Sequence, residues 1–322
     1  MGRFFSIGEA LIDMIPNEIG VDLKNVDNFT RKAGGAPANV CACVAKQGIE
    51  AAFIGKLGAD AFGEYLIETM QRVGVNTDYV YKTKEANTTL AFASLMEDGE
   101  RDFSFYRNPG ADMLLDETEI DIEWFKADDF LHFCSVDLIE APVKYAHRKA
   151  IEAVKEKGGT IVFDPNLRFP LWDDKEELRL TVLEFAAFAD IIKISDNELF
   201  FITDTQDPKE AAQVMFEKGV KAVLYTMGSS GARLITKSVD IYAPAFEVMP
   251  INTTGAGDAF IGGFIAELIR SRVDIEFIDK QLAEGILQIA NACGAMVASQ
   301  HGAIEVMPTP NEINEFILKS NK

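Results

Sequence analysis

Strand-length apolar runs alternate with amphipathic helical stretches along most of this chain. From residue 128 onward the alternation is regular, and each apolar run is followed by apolar positions at helical spacing. The runs are Phe130 to Cys134, Thr160 to Phe163, Ile191 to Ile194 and Ala222 to Tyr225. Parallel strands joined by right-handed helical crossovers account for this order. We therefore expect an α/β fold with a mostly parallel central sheet, in a single domain that spans residues 1–322.

One segment departs from the alternation and predicts a β-hairpin. Thr88 to Met96 and Arg101 to Tyr106 have period two, and Asp98-Gly99 between them is a strong turn signal. Residues 14–32 have no strong period. We expect a small β lid, formed by about residues 14–32 and 87–108 and inserted in the domain. Open strand edges can pair with another copy, so the lid is a candidate surface for a homodimer, and the sequence does not decide between dimer and monomer.

Composition and charge exclude two classes of partner. The chain has 322 residues, of which 48% are hydrophobic, and it carries a net charge of −20 with an isoelectric point near 4.6. Nucleic acids and anionic membranes favour clustered Lys and Arg, so neither is expected as a partner. No run of 18 apolar residues and no secretory segment is found. We expect a cytoplasmic protein with four reduced thiols, which are Cys41, Cys43, Cys134 and Cys293.

The strongest indication of chemistry lies in residues 252–263. Two glycines precede one carboxylate there, at the start of a long apolar helical pattern. Amide groups in the first turn of a helix have no intrahelical partner, and with the helix dipole they bind anions such as phosphate. The amides of Gly255, Ala256 and Gly257 are therefore a candidate anion site. Asp258 is a candidate base for a nucleophile that attacks a phosphate, and the alternative is an aspartate that only caps the helix.

Polar residues also follow several predicted strands. Ligands of α/β sheets bind beyond the carboxyl ends of the strands, which is where Asp13 and the segment Asp164-Pro165-Asn166-Leu167-Arg168 are expected. The turn from Thr226 to Gly231 follows another strand, and its glycines would let a nucleotide approach. Arg107 stands at the exit of the hairpin, where a cation would suit an anionic or polyol substrate. A solvated loop for Asp13 and a surface position for Arg107 are the alternatives.

Two predicted helices carry an asparagine among small residues. Gly34 and Gly35 precede Pro37, and this order predicts a helix start. Asn39 lies in that helix among alanines and cysteines, and it faces either a polar ligand or a backbone group. Asn291 lies near Ala292, Cys293, Gly294 and Ala295, as a residue of an adenine pocket would. Tight helix packing is the competing interpretation of the small residues.

These motifs, in this order, resemble the ribokinase/pfkB family of sugar kinases over nearly the whole chain. The late motif is Asn252-Thr253-Thr254-Gly255-Ala256-Gly257-Asp258, and the early one runs from Gly34-Gly35 to Asn39. Within the family the sequence is most similar to the fructokinases, through Gly8-Glu9-x-x-Ile12-Asp13, Asn108-Pro109-x-Ala111-Asp112 and Asp164 to Arg168 with Leu171-Trp172. The resemblance implies a ribokinase-like three-layer α/β/α fold and transfer of the γ-phosphate of ATP, with Mg²⁺, to fructose, which gives fructose 6-phosphate and ADP.

The resemblance also implies a role for each matching residue. Asp258 would be the catalytic base, and the amides of Gly255, Ala256 and Gly257 the anion hole. The sugar would contact Asp258 and also Asp13, Gly34, Gly35, Asn39, Arg107, Asn166 and Arg168. The nucleotide would contact Ser195, Thr226, Gly228, Gly231, Gly255, Gly257 and Asn291. Glu198 would hold Mg²⁺, largely through water.

Two positions depart from the family pattern. Ser195 stands where the family often has the Asn of Asn-x-x-Glu, which bears on the network around Mg²⁺ and phosphate. Asn252 stands where the family commonly has an Asp that is linked to a bound monovalent cation. Loss of this negative charge weakens the attraction for a cation. We therefore expect Mg²⁺ dependence and only weak activation by K⁺.

Three other hypotheses are weighed against a fructokinase. A kinase of 2-keto-3-deoxygluconate would use Arg107 and Arg168 for the carboxylate of its substrate, but the Leu-Arg-x-x-x-Leu-Trp context favours fructose. A catalytically silent homologue that binds a nucleotide or a partner protein is disfavoured by the intact Asp258 and its glycines. A nicotinamide dehydrogenase is disfavoured because no Gly-x-Gly-x-x-Gly follows a strand.

Overall fold

The computed structural model describes residues 2–18, 20–95 and 101–320. The described residues form thirteen β-strands. They are β1 (Phe4–Ile7), β2 (Leu11–Pro16), β3 (Phe29–Gly34), β4 (Ala51–Gly58), β5 (Val80–Thr83), β6 (Leu90–Leu95), β7 (Arg101–Tyr106), β8 (Phe130–Cys134), β9 (Thr160–Asp164), β10 (Ile191–Ser195), β11 (Ala222–Thr226), β12 (Ala232–Thr236) and β13 (Asp240–Ala243).

Nine of these strands form one large sheet. Their order is β13-β12-β11-β10-β9-β8-β1-β4-β5. The seven strands from β11 to β5 are parallel to one another, whereas β12 and β13 are added antiparallel at one edge. The carboxyl ends of the seven parallel strands therefore lie along the same edge of the sheet, where a ligand site is expected.

Helices cover both faces of the large sheet. The described residues form α1 (Ala36–Lys46), α2 (Ala61–Arg72), α3 (Pro142–Lys157), α4 (Lys175–Ala186), α5 (Asp196–Thr203), α6 (Pro208–Glu217), α7 (Ala256–Ser271), α8 (Lys280–Ala298) and α9 (Pro310–Ser320). The apolar residues of α1, α2, α7, α8 and α9 pack on one face, and those of α3 to α6 pack on the other. The three-layer α/β/α fold is thus confirmed. No helix in the described ranges has the length and hydropathy needed to cross a membrane.

A second, smaller sheet contains the other four strands, in the order β3-β2-β6-β7. β6 and β7 pair antiparallel, as the period-two pattern predicts. The expected turn at Asp98-Gly99 lies outside the described residues. β2 joins this hairpin to β3, because it pairs parallel with β6 and antiparallel with β3.

Residues 14–32 differ from the expectation of a loose segment. β2 continues to Pro16 and β3 begins at Phe29, so both ends of this segment are strands. Asp13 accordingly lies within β2 and not in a loop after β1. In β3 the successive residues Thr30 and Arg31 are both exposed. A strand with two solvated faces has no apolar alternation, which is why the pattern did not predict it.

α7 is buried along most of its length between α1 and α8. A methyl group at Gly262 would lie 2.6 Å from Cβ of Cys43 in α1. One at Gly263 would lie 2.6 Å from Sγ of Cys293 in α8. These two glycines permit a close approach of three helices, which fixes the position of the helix that carries Asp258.

Gly262→Ala should destabilise the protein by about 1–3 kcal/mol, since an added methyl group in a packed interior forces its neighbours apart. The matched control is Gly285→Ala in α8, an exposed helical glycine with no atom within 4 Å of the added methyl group. The control should stabilise by about 1 kcal/mol through helix propensity. Urea denaturation of both variants measures the two effects, and equal free energies of unfolding would contradict the packing argument.

Candidate active site

Polar residues at three strand ends come together at the carboxyl edge of the large sheet. Asp164 ends β9, Ser195 ends β10 and Thr226 ends β11. Ser195 and Thr226 are direct partners in the register of β10 and β11. The first turn of α7 lies beside them, because a methyl group at Gly257 would be 3.7 Å from Nζ of Lys193 in β10. The strand ends and the N-terminus of α7 therefore form one site.

The backbone at the start of α7 has the form of an anion site. Gly255, the residue before the helix, has φ of 79°, and a methyl group on it would lie 2.9 Å from Cβ of Ala303. Both facts require glycine. The amide of Ala256 donates to the carbonyl oxygen of Thr253 at 3.2 Å, so a phosphate oxygen would share or replace this long bond. Binding of phosphate by the amides of this turn stays a prediction.

Asp258 is buried in the first turn of α7, with 8% of its surface exposed. Nδ2 of Asn39 in α1 donates a hydrogen bond of 2.8 Å to Oδ2 of Asp258. Burial raises the pKa of Asp258, whereas Asn39, Lys193 and Arg168 oppose this rise. A raised pKa makes the carboxylate a stronger base than an exposed aspartate, while the cations keep it available in the ionised form.

Oδ1 of Asn39 is buried and has no hydrogen-bond partner among the described residues. A buried amide oxygen without a partner is costly, and a sugar hydroxyl would satisfy it. Nδ2 of Asn39 thus binds a side chain and not a backbone group, and contact of Oδ1 with a ligand stays a prediction.

Glu198 is a fixed and ionised carboxylate at the start of α5. Oε2 accepts hydrogen bonds from the amide and the hydroxyl of Ser195, at 2.9 and 2.7 Å, and Oε1 accepts one of 2.8 Å from the amide of Leu167. Burial opposes ionisation, but Lys193 and these donors lower the pKa of Glu198 below its usual value. Oε1 accepts only one of these hydrogen bonds and so has a further lone pair, which can bind a water of a hydrated Mg²⁺.

The predicted sugar residues of the smaller sheet lie at the start of α1. A methyl group on Gly34 would be 2.0 Å from Oδ2 of Asp13, so the carboxylate lies directly against the bare backbone. Gly35 has φ of 101°, and its methyl group would be 2.5 Å from the carbonyl oxygen of Glu9. Oε1 of Glu9 accepts a hydrogen bond from the amide of Ala36 at 3.0 Å. These contacts bring Asp13, Gly34 and Gly35 to the helix that carries Asn39.

Arg107 is buried and has partners within the protein. Its side chain is 3% exposed. Nε donates to Asp112 at 2.6 Å, Nη2 to Asp137, and Nη1 to the carbonyl oxygen of Val136 at 3.3 Å. Burial opposes its charge, but the two carboxylates raise the pKa of Arg107 further. Arg107 is thus not a surface residue. Three of its N–H donors bind the protein, and contact with the sugar stays a prediction.

Asn166 and Arg168 follow β9 and are both half-buried. Asn166 adopts a φ of 45°, in the left-handed region that favours asparagine among the non-glycine residues. Nη1 of Arg168 donates to the carbonyl oxygen of Leu167 at 3.1 Å, and its charge is near enough to lower the pKa of Asp258. Both residues therefore follow the strand that ends in Asp164, and their contact with the sugar stays a prediction.

Two of the predicted nucleotide residues, Gly231 and Asn291, contact the end of β13 and the residues after it. Nδ2 of Asn291 donates to the carbonyl oxygens of Ala243 and Pro244, at 3.1 and 3.0 Å. Gly231, with φ of 104°, would place a methyl group 2.3 Å from the carbonyl oxygen of Ala243. Gly228, with φ of 51°, has open space around its Cα. Asn291 and Gly231 therefore fix one wall, and Gly228 leaves room for a ligand.

Lys193 is the site residue that the sequence interpretation missed. It lies in β10 with 6% of its surface exposed, and Nζ is 2.9 Å from both carboxylate oxygens of Asp164. The available signal was one charged residue within Ile191-Ile192-Lys193-Ile194, an otherwise apolar strand. Burial raises the pKa of Asp164 to about 6, with the charge of Lys193 opposing.

Comparison with known proteins identifies the family. Residues 1–310 match the family described as pfkB family carbohydrate kinase. The chain belongs to this family. A protein of Arabidopsis thaliana, probable fructokinase-4, is 40% identical over 317 residues, which cover 98% of this chain and 96% of that protein.

Solved structures of family members have the same fold. The fructokinase of Vibrio cholerae O395, solved with fructose, ADP and calcium ion, has a TM-score of 0.89 and 32% identity, and covers 98% of this chain and 99% of that one. A double mutant of it was solved with fructose, ADP and potassium ion. The aminoimidazole riboside kinase of Salmonella enterica, solved with aminoimidazole riboside and an ATP analog, has a TM-score of 0.86 and 30% identity over 98% of this chain and 100% of that one. The resemblance to the pfkB family is confirmed.

Asn39→Ala should move the acidic side of the pH–rate profile to higher pH. The lost hydrogen bond is the largest effect that lowers the pKa of Asp258. Without it the carboxyl group stays protonated to higher pH, and we expect a shift of about one pH unit. The measurement is the rate of MgATP-dependent sugar phosphorylation between about pH 5 and 9.

The matched control for this variant is Gln47→Ala at the other end of α1. Nε2 of Gln47 donates to the carbonyl oxygen of Pro308 at 2.7 Å, and the side chain is buried. The control should lose about 1–3 kcal/mol of stability and keep the wild-type pH profile. A shift in the control as large as that of Asn39→Ala would mean that the shift reports loosened packing of α1.

Proposed function

We propose that this protein is a kinase that transfers the γ-phosphate of ATP to fructose and releases fructose 6-phosphate and ADP. The observation that carries the proposal is Asp258, a buried carboxylate next to a glycine turn at a helix N-terminus, with Asn39 bonded to it. Fructokinases among the relatives, at about 40% identity over the whole chain, support fructose as the acceptor.

In the proposed reaction Asp258 accepts the proton of the sugar hydroxyl while the hydroxyl oxygen attacks the γ-phosphorus. The new oxygen–phosphorus bond forms while the bond from phosphorus to the leaving oxygen of ADP breaks. Negative charge on the transferring group is held by the amides of Gly255, Ala256 and Gly257 and by the helix dipole. The transition state is loose, so positioning and charge contribute more than the strength of the base.

Sugar hydroxyls would bind Asp13, the backbone of Gly34 and Gly35, and Oδ1 of Asn39, with Asn166 and Arg168 completing the pocket. The partnerless oxygen of Asn39 and the contact between Asp13 and Gly34 support this assignment. Arg107 acts at a distance in this proposal. Its buried guanidinium group fixes Asp112 and Asp137, and these carboxylates carry its effect toward the sugar pocket.

The nucleotide would lie along Ser195, Thr226, Gly228 and Gly231, with its base near Asn291 and its phosphates at Gly255 and Gly257. Glu198 fits Mg²⁺, because it is ionised and its neighbours already fix its orientation. When bound, Mg²⁺ neutralises charge on the β- and γ-phosphates. We infer that activation by K⁺ is weak, because Asn252 brings no negative charge to the position linked to a monovalent cation.

The second candidate acceptor is 2-keto-3-deoxygluconate. Its carboxylate would need a cation with unoccupied donors. Arg168 offers one, but the charge of Arg107 is already compensated by Asp112 and Asp137. This compensation favours a neutral sugar over the keto acid.

We also propose that the smaller sheet is a lid that closes over the sugar, since Asp13 of β2 and Gly34 of β3 belong both to this sheet and to the sugar pocket. Its outer strands β3 and β7 have one unpaired edge each in the described sheet, and a homodimer through these edges remains part of the proposal. The four cysteines are buried and free, which suits the reducing cytoplasm.

The proposal predicts the outcome of an acceptor panel. ADP release with MgATP is measured for fructose, glucose, ribose, 2-keto-3-deoxygluconate and adenosine, each in KCl and in choline chloride. Fructose should have the highest kcat/KM of the panel, by about tenfold or more, and the change of salt should have little effect. A higher kcat/KM for the keto acid would reassign Arg168 to its carboxylate, and no turnover with any acceptor would favour the catalytically silent homologue.

Asp258→Asn tests the base. The variant should lose about 10²–10⁴ in kcat because an amide cannot accept the proton, while fructose binding measured by calorimetry should change little. Asn keeps the size of the side chain, so α7 should fold as in the wild type. Retained kcat with weakened fructose binding would instead make Asp258 a substrate-binding residue only.

A further inference from the structure

A lysine within an apolar strand needs an explanation. Lys193 lies between Ile192 and Ile194, and both isoleucines are fully buried on the opposite face of the sheet. The side chain of Lys193 is 8% exposed and that of Asp164 is 1% exposed. Burial of two charges costs free energy that their attraction only partly returns, and apolar residues often replace such pairs without loss of stability. Stability alone therefore does not account for this pair.

The position of the ammonium group relates it to the anion site. Nζ is 2.9 Å from each oxygen of Asp164, and no further hydrogen bond of Nζ is present in the described part of the chain. An ammonium group has three donors, so one remains. A methyl group on Gly257 would lie 3.7 Å from both Cε and Nζ of Lys193. The end of this side chain therefore reaches the first helical turn of α7.

Lys193 is also the common neighbour of three carboxylates. Its charge interacts with Asp164, Glu198 and Asp258. ATP would bring further negative charge to this place. With Lys193 absent, Arg168 would be the cation left to stabilise Asp258, and it lies half-buried at the edge of the site. The geometry thus places a buried cation where phosphate and base would otherwise repel each other.

We propose that Lys193 is a positioning residue of the phosphoryl transfer, held by Asp164 against the first turn of α7, where its ammonium group stabilises both the carboxylate of Asp258 and the phosphate at the anion site. The inference rests on the proposed kinase function but not on fructose as the acceptor. Asp164 orients the ammonium group and reduces its field at Asp258.

The surroundings of this pair define the pH range of a test. The charged or titratable groups near Lys193 and Asp258 are Asp164 at the end of β9, Arg168 after it, Glu198 in α5, and His132 and Cys134 in β8. Burial lowers the pKa of His132 to about 3 and raises that of Cys134 well above its usual value, so both are neutral near pH 7. Asp164, with a pKa of about 6, is the neighbour that can titrate with the base.

Two variants should shift the pKa of Asp258 in opposite directions. In Asp164→Asn the ammonium group loses its counter-charge, so the pKa of Asp258 should fall and the acidic side of the kcat profile should move to lower pH. In the double variant Lys193→Met with Asp164→Asn both charges are removed. The pKa of Asp258 should then rise and the acidic side should move to higher pH, by about one unit. General damage to the site would not give shifts of opposite sign.

The double variant should also lose about 10²-fold in kcat, as expected when one stabilising group of an anion hole is removed. Its KM for the sugar should stay within about threefold of wild type, and its Kd for MgATP should rise by about tenfold. Lys193→Arg keeps the positive charge, so the acidic side of its pH profile should lie at the same pH as in the wild type, even if its kcat is lower. If the double variant does not fold, two results still decide whether Lys193 stabilises the carboxylate of Asp258. They are the pH shift in Asp164→Asn and the absence of a shift in Lys193→Arg.

The matched control is the pair Arg3 and Asp129, which lie before β1 and β8 at the opposite edge of the sheet and are bonded at 2.6 Å. Arg3→Met with Asp129→Asn should lower thermal stability and leave kcat, MgATP affinity and pH profile unchanged. The proposal is overturned if the Lys193 double variant behaves like this control, or if Asp164→Asn shifts the profile to higher pH.

The test separates this inference from the acceptor assignment. The kinetic arms use whichever sugar of the acceptor panel the wild type phosphorylates, so failure of fructose alone does not affect it. If the wild type turns over no acceptor, calorimetry with MgATP becomes the readout. A tenfold weaker Kd in the double variant supports the phosphate part of the proposal, and an unchanged Kd overturns it.

Discussion

The negative charge of Asp258 must be stabilised inside the protein, next to the place where a phosphate is expected. Water cannot do this, because the carboxylate is buried in the first turn of α7. The N-terminus of α7, the amide of Asn39 and the charge of Lys193 do it instead. Each of these groups belongs to a different element, so the packing of α1 and α7 on the strand end of β10 is a condition of the chemistry.

This requirement explains the glycines of α7. The helix must approach α1 closely enough for Asn39 to reach Asp258 at 2.8 Å. Gly262 permits that approach, since a methyl group there would overlap Cys43. The same helix must also lie low over the sheet at Gly257, within reach of Lys193. The sequence left two interpretations of the small residues in these helices, a ligand pocket or tight packing. The structure shows tight packing, and this packing positions Asn39 beside Asp258.

A second buried charge cluster connects the smaller sheet to the same site. Arg107 after β7 binds Asp112 and Asp137, and Glu9 between β1 and β2 lies close enough to interact with all three. Burial raises the pKa of Asp137 to about 7 and that of Glu9 well above its usual value. Protonation of these carboxyl groups reduces the excess of negative charge around one guanidinium group. Since Glu9 also accepts the amide of Ala36, this cluster fixes the start of α1 and thereby Asn39.

The sequence predicts those elements that have an apolar run, a regular period or a helix-start signal. The buried strands of the large sheet, the start of α7 after Gly255 and the hairpin strands β6 and β7 all follow from periodicity and turn chemistry. The strands β2 and β3 were not predicted, because successive residues of β3 are solvated. Asp13 was therefore expected in a loop, whereas it lies in β2. Sequence also cannot show which partner a charged residue has. The sequence did not indicate that Arg107 binds two carboxylates, and its contact with a ligand stays a prediction.

The sequence contexts of Arg107 and Lys193 do not show which groups these two buried cations bind. Arg107 follows the hairpin among polar residues, and it is bound to Asp112 and Asp137 in the charge cluster that fixes the start of α1. Lys193 is the single charged residue of an otherwise apolar strand, and its ammonium group lies within contact distance of the first turn of α7. A buried charge is tolerated only where a partner is fixed beside it. Neighbours on separate strands and helices supply that partner, so its identity is a property of the fold and not of the local sequence.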